Sequence, residues 1–172
     1  MPRAKLKGDS GGQLDTRDLS TRRLINQQIA GTAFKSVQAL VGWMGAVQAQ
    51  DYAMAKWALG ARLPGSTDAS VEQAIDKGEI IRTHVLRPTW HFVSAQDVYW
   101  MLELTGPRIR ARLTPREKYL GLTPAMIARS NTVIERALRE GQHLTRDELV
   151  AELKKHKLPT TEYRDGHLIG RA

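Results

Sequence analysis

Glu79-Ile80-Ile81-Arg82-Thr83-His84-Val85-Leu86-Arg87-Pro88-Thr89-Trp90-His91-Phe92-Val93 is the stretch that decides the fold. β-Branched and aromatic residues crowd into two short runs, Glu79 to Leu86 and Thr89 to Val93, joined through Arg87-Pro88. That pattern predicts two strands paired as a hairpin between Ile80 and Val93. Alternation in the second run puts Trp90 and Phe92 on one face, and Thr89, His91 and Val93 on the other.

Outward from the hairpin the chain reads as helix. Upstream, Ser20 and Thr21 suit an N-cap ahead of Leu24, Ile25 and Ile29. A second helix starts after Ser36, with Val37, Leu40, Val41 and Met44 forming one apolar stripe. A third runs from about Asp51 to Arg62, and a fourth from Ala69 to Lys77, closed by Gly78. Downstream, a helix is expected from Ser94 through Leu104, stopping at Gly106-Pro107. A long amphipathic helix follows from Thr123 to Glu140. Thr145-Arg146-Asp147-Glu148 then forms a capping box. Gly166 to Ala172 opens a further element without a cap or terminator. Helices followed by a small hairpin make a mainly α (α+β) winged helix-turn-helix. The expected organisation is a disordered basic arm at 1–18, a first winged-helix domain at 19–105, a basic connector at 106–122, and a truncated second winged-helix unit at 123–172.

Composition narrows the function classes. At 172 residues, 41% hydrophobic and 26% charged, the chain has the make-up of a soluble globular protein. No apolar run approaches the ~18 residues of a membrane span, so no membrane partner is expected. Cysteine is absent, which excludes disulfides, thiolate metal sites and a cysteine nucleophile, and fits a reducing cytoplasm. Lys plus Arg total 26 against 18 acids, a net +8, so nucleic acid leads the partner classes. That charge also disfavours an adaptor that uses the fold for protein contacts.

Phosphate-loop, dinucleotide, zinc-protease and nucleophile-elbow motifs are all missing. The histidines His84, His91, His143, His156 and His167 are too scattered for a local metal site; only His84 and His91 could meet, across the hairpin. The notable local feature is Gln48-Ala49-Gln50-Asp51. On a continuing helix Gln48 would join the apolar stripe and Gln50 would point ~200° away. The two amides converge only if the backbone leaves the helix, which Gly45 upstream and Asp51 as an N-cap allow. By spacing alone, capping or solvated glutamines are the commoner outcome. The hairpin, with Arg82, His84 and Arg87, has the small basic and aromatic character of a nucleic-acid-contacting wing. Arg108, Arg110, Arg112 and Arg116 form a basic run that would equally suit a solvated face. Trp43, Trp57, Trp90 and Trp100 are read as core.

Two blocks carry a family resemblance. Val47-Gln48-Ala49-Gln50-Asp51-Tyr52, followed by Ala55, Trp57-Ala58-Leu59 and Arg62, resembles the start of the AlkZ-like winged-helix DNA glycosylases. Ile81 to Val93 resembles that family's Arg-x-Thr-x-His hairpin. The resemblance covers about Leu19 to Ala172 and only the N-terminal part of the family's chain, whose usual architecture is tandem winged helices with a C-terminal β-barrel. It implies a monofunctional DNA glycosylase with Gln48 and Gln50 as the catalytic Gln-x-Gln. It further implies excision of N7-alkylated purines or unhooking of crosslinks when the scaffold is complete.

The residue types sharpen that implication. An amide side chain cannot take a proton as a carboxylate does, so Gln48 and Gln50 could orient a water but hardly deprotonate it. This restricts the pair to glycosidic bonds already weakened, as in a cationic N7-alkylpurine that departs as a neutral base. Asp51 is assigned to helix capping. The expected partner is double-stranded DNA, met by Arg82, His84, Arg87, His91, Arg108, Arg110 and Arg112. No metal or small-molecule cofactor is expected, and the location is cytoplasmic and nucleoid-associated. The alternative is a non-enzymatic winged-helix DNA-binding module or regulator.

Overall fold

The computed structural model describes residues 16–86 and 89–172. Its helices are α1 (Thr16–Asn26), α2 (Val37–Met44), α3 (Tyr52–Gly60), α4 (Asp68–Asp76), α5 (Val98–Tyr119), α6 (Pro124–Ala137), α7 (Arg146–Lys155) and α8 (Arg164–Arg171), and its strands are β1 (Ala46–Gln48), β2 (Ile80–Thr83) and β3 (His91–Ser94). Helices take up 61% of the described residues, far above the roughly one third of an average domain. The architecture is α+β and winged-helix-like, as the residue pattern predicts. The chain divides into two compact units, 1–101 and 102–172.

In the first unit the caps work as their residue types dictate. Ser36 Oγ accepts from the Ala39 amide, Asp51 Oδ1 from Met54, and Thr67 Oγ1 from Ser70. Gly45, at φ 77, ends α2 and turns the chain straight into β1; Gly78, at φ 67, does the same between α4 and β2. A residue with a Cβ would be strained at either corner. The expected hairpin is present as antiparallel β2 and β3, but a third strand joins it. β1 pairs with the other side of β3, giving the order β1-β3-β2.

The register sorts the side chains into two sets. Val47, Phe92 and Arg82 stand opposite one another, and Phe92 enters the main core with Leu40, Val41, Leu59, Val71 and Ile80. Ala46, Val93 and Ile81 occupy the other face and cover Val85, Val98 and Met101. Burying Phe92 alone contributes about 1.5–3 kcal/mol.

Several expectations need correction. α1 begins at Thr16, so residues 16–18 of the expected arm are helical; residues 1–15 lie outside the described set. Trp43, Trp57 and Trp100 are exposed rather than core, at 53%, 68% and 51%. Helical phase decides this, not ring size. Trp57 stands ~200° from the buried Ala55 of the same helix, and Trp100 is ~100° from buried Met101. The helix expected to stop at Gly106-Pro107 instead continues to Tyr119, so most of the basic connector is helical. Pro107 lacks one donor, but Val98 and Met101 anchor the helix before it, and Glu117 is buried beyond it. The helix expected to reach Glu140 ends at Ala137 and passes into a 3-10 turn at Arg139–Gly141.

The second unit packs Ile127, Val133 and Ile134 of α6 against Leu149 and Leu153 of α7 and Leu168 of α8. Thr145 and Glu148 close the expected capping box. α8 is further tied by Arg171 Nε donating to Glu117 at 2.9 Å and by Arg164 Nε donating to the Leu120 carbonyl at 2.7 Å. Among the described residues no helix is long and apolar enough to cross a membrane.

Candidate functional site

Gly45 releases the chain from α2, Ala46 to Gln48 run as β1, and Ala49 and Gln50 lead out of the strand to Asp51, which caps α3. The backbone therefore leaves the helix at the point that lets Gln48 and Gln50 escape opposite helical faces. Gln48 ends β1 opposite His91 and is exposed. Ala49 is fully buried, and its amide donates to the Trp90 carbonyl at 2.8 Å. Gln50 is exposed, and its Oε1 accepts from the Trp90 amide at 3.3 Å. The donor there is an N–H, so the carboxamide must turn its oxygen inward and its NH2 outward.

Arg82 closes the same segment from β2. Its Nε donates to the Ala49 carbonyl at 3.0 Å and its Nη2 to the Gln50 carbonyl at 3.2 Å. The guanidinium lies over the Trp90 ring at 4.6 Å and the Tyr52 ring at 5.4 Å. Tyr52 in turn donates its hydroxyl to Glu72 at 2.5 Å, and Glu72 pairs with Lys56 at 2.5 Å. Lys56 also meets Asp68 at 2.9 Å. Burial, then the bond to Glu72, pushes the Tyr52 phenol up to about 12. The bonds from Lys56 and Tyr52 hold Glu72 below its ordinary range. Sequence reasoning missed this network. Its signal was the i, i+4 spacing of Tyr52 with Lys56 and of Asp68 with Glu72, which gives two helices facing polar rungs.

The wing residues fare differently from one another. His84 stacks on Trp90 with centroids 4.1 Å apart. Burial, reinforced by His91 and Arg82, lowers its pKa, so it is neutral near neutral pH. His91 is only 4% exposed, in the row shared with Gln48 and Thr83. Arg87 lies outside the described residues.

In the second unit Arg108, Arg110 and Arg112 are all exposed on α5. Helical geometry places Arg108, Arg112 and Arg116 along one side, with Arg110 ~200° from Arg108. Among the described residues no three His, Asp or Glu side chains gather as metal ligands. A cleft of about 440 Å³ in the first unit, bordered by Phe34, Leu63, Gln73 and Lys77, is lined by neither Gln48 nor Gln50.

No curated protein matches this chain. The solved structure of Streptomyces sahachiroi DNA glycosylase AlkZ is similar, at 24% identity and a TM-score of 0.70, over 87% of this chain and 41% of that one. The present chain thus spans less than half of that protein's length, and the likeness shows a shared fold. Residues 41–172 match the family described as DNA glycosylase AlkZ-like, a span that takes in the two glutamines, the hairpin and the arginines of α5. With well over half of its length matched, the chain belongs to the AlkZ-like DNA glycosylase family.

Proposed function

We propose that this chain carries the catalytic segment of a monofunctional DNA glycosylase that releases N7-alkylated purines from duplex DNA, or unhooks crosslinks at such bases. The observation that supports it most is the Gln48-Ala49-Gln50 segment itself. Two exposed amides, one ending β1 and one leading to α3, flank a buried alanine, and the second has its side-chain oxygen held by the Trp90 amide. Gln48 Oε1 is then the acceptor that orients a water, and Gln50 holds the second position. Neither can remove a proton from that water. The substrate must therefore bring its own activation. A purine alkylated at N7 is cationic, departs as a neutral base and needs neither a strong base nor a cofactor.

Double-stranded DNA is the proposed partner, in a cytoplasmic, nucleoid-associated setting. Arg108, Arg110 and Arg112 supply phosphate contacts from the second unit, with Arg87 and His84 proposed at the wing. His91 is buried and Arg82 donates through Nε and Nη2 to main-chain carbonyls of the segment, so in this reading both support the site from within.

A second reading is a DNA-binding module without base release. It is favoured by the exposed arginine side of α5, which belongs to the second unit and needs no glutamine. Single-turnover base release from N7-methylated duplex DNA decides between them. Release that is lost in the Gln48→Ala, Gln50→Ala double variant supports the glycosylase. Salt-dependent binding with no release supports the module.

A further inference from the structure

We propose that Arg82 is a positioning residue that sets the Gln48–Gln50 segment from across the sheet, and is not a DNA contact. Its effect on rate rests on the glycosylase reading above; its hold on the segment does not. The planar fork of the guanidinium suits two consecutive carbonyls, and Nε and Nη2 reach those of Ala49 and Gln50 at 3.0 and 3.2 Å. The half-buried guanidinium also lies against two aromatic rings of the same unit. Trp90 lies 4.6 Å away and Tyr52 5.4 Å away, the latter fixed through its hydroxyl to Glu72.

The consequence reaches the reacting end of Gln50. Arg82 fixes the main-chain carbonyls on either side of the Gln50 amide, while the Trp90 amide fixes the side-chain oxygen. The carboxamide has then little freedom left. Ordering it before substrate arrives removes that cost from the reaction step. Lysine cannot replace this. An ammonium is a point charge, able to reach one carbonyl but unable to stack and bridge two.

The test compares the whole chain with Arg82→Ala and Arg82→Lys, by amide hydrogen exchange and by single-turnover release of N7-methylguanine at saturating duplex. Arg82→Ala is expected to speed exchange at the Ala49 and Trp90 amides about tenfold, with the amides of α6 and α7 unchanged. Release is expected to slow about tenfold to a hundredfold, with DNA affinity within about twofold of wild type. Arg82→Lys should stay close to Arg82→Ala in both readouts. If the alanine variant does not fold, the lysine variant decides on the same measurements. Unchanged exchange at Ala49 and Trp90 would overturn the proposal. So would a loss of DNA affinity that lysine restores, since that identifies a phosphate contact. A wild-type chain that releases no base refutes the proposed activity, while the exchange comparison still decides the hold of Arg82 on the segment.

Discussion

The Trp90 amide donates to the side-chain oxygen of Gln50, forty positions earlier, at 3.3 Å. The residue just before the central strand β3 thereby orients one of the two candidate catalytic amides, and the neighbouring Ala49 amide donates back to the Trp90 carbonyl at 2.8 Å. Stability and site geometry are linked through this contact.

Gln48→Ala and Gln50→Ala should each slow release of N7-alkylguanine by about tenfold to a thousandfold with DNA affinity nearly unchanged. The two should differ in stability. Gln50→Ala also strips the acceptor from the Trp90 amide and should cost about 0.5–1.5 kcal/mol in a denaturant melt, whereas Gln48→Ala should cost less. Gln50→Asp keeps an acceptor and should retain activity. Equal release by the wild type and the double alanine variant would remove both residues from the mechanism.

Arg108→Ala with Arg112→Ala should lower the salt dependence of duplex binding by up to about two phosphate contacts, because both lie on one side of α5. Arg110→Ala should change it by a different amount, since Arg110 projects from another side. Slopes equal to that of the wild type for all of these variants would show that this helix is merely solvated.

Tyr52 offers a spectroscopic check on the network behind Arg82. One phenol should ionise near pH 12 in an ultraviolet titration, and that step should vanish in Tyr52→Phe. The folded value lies above the ordinary 10.0, so the stability it contributes is intact below pH 10.0 and is lost as pH rises towards 12. Glu72 has the opposite sign. Its lowered pKa adds stability above 4.5 that disappears as pH falls through the folded value, and Glu72→Gln should flatten that acid limb.

His84 has a folded pKa below its ordinary 6.5, with burial the leading cause. The fold disfavours its charge, so stability is full above pH 6.5 and declines as pH falls from there through the lower folded value. His84→Gln should flatten this decline in melts run between pH 7 and 5. At pH 7.5 the same variant should leave the salt slope of DNA binding unaltered, because a neutral imidazole releases no counterion.

Phe92 is fully buried between the sheet and the helices of the first unit. Phe92→Ala should cost about 3–5 kcal/mol in a calorimetric or denaturant measurement. A loss under 1 kcal/mol would mean that the core can collapse into the space.

Much of the fold was legible along the chain because the deciding signals are local. Ser36, Asp51, Thr67, Thr123 and Thr145 sit at N-caps, and the Thr145–Glu148 box was readable from four residues. The Ile80 to Val93 hairpin follows from alternation and one proline. The Gln-x-Gln segment and its departure from helix were also readable, from Gly45 and Asp51. β1 was not. In Ala46-Val47-Gln48 only Val47 favours strand, too little signal over three residues, and pairing with β3 is what makes them one. Trp90 packs against the core as its residue type suggests, but Trp43, Trp57 and Trp100 do not, because a large ring on a helix is buried only when helical phase turns it inward, and phase is set by which neighbours pack. Pro107 reads as a stop because its missing donor is a local cost, whereas the anchors that carry α5 past it are tertiary. Arg82 looked like a charge for DNA. Its partners lie 33 and 32 positions away in sequence, so only the folded sheet shows Nε and Nη2 donating to the Ala49 and Gln50 carbonyls.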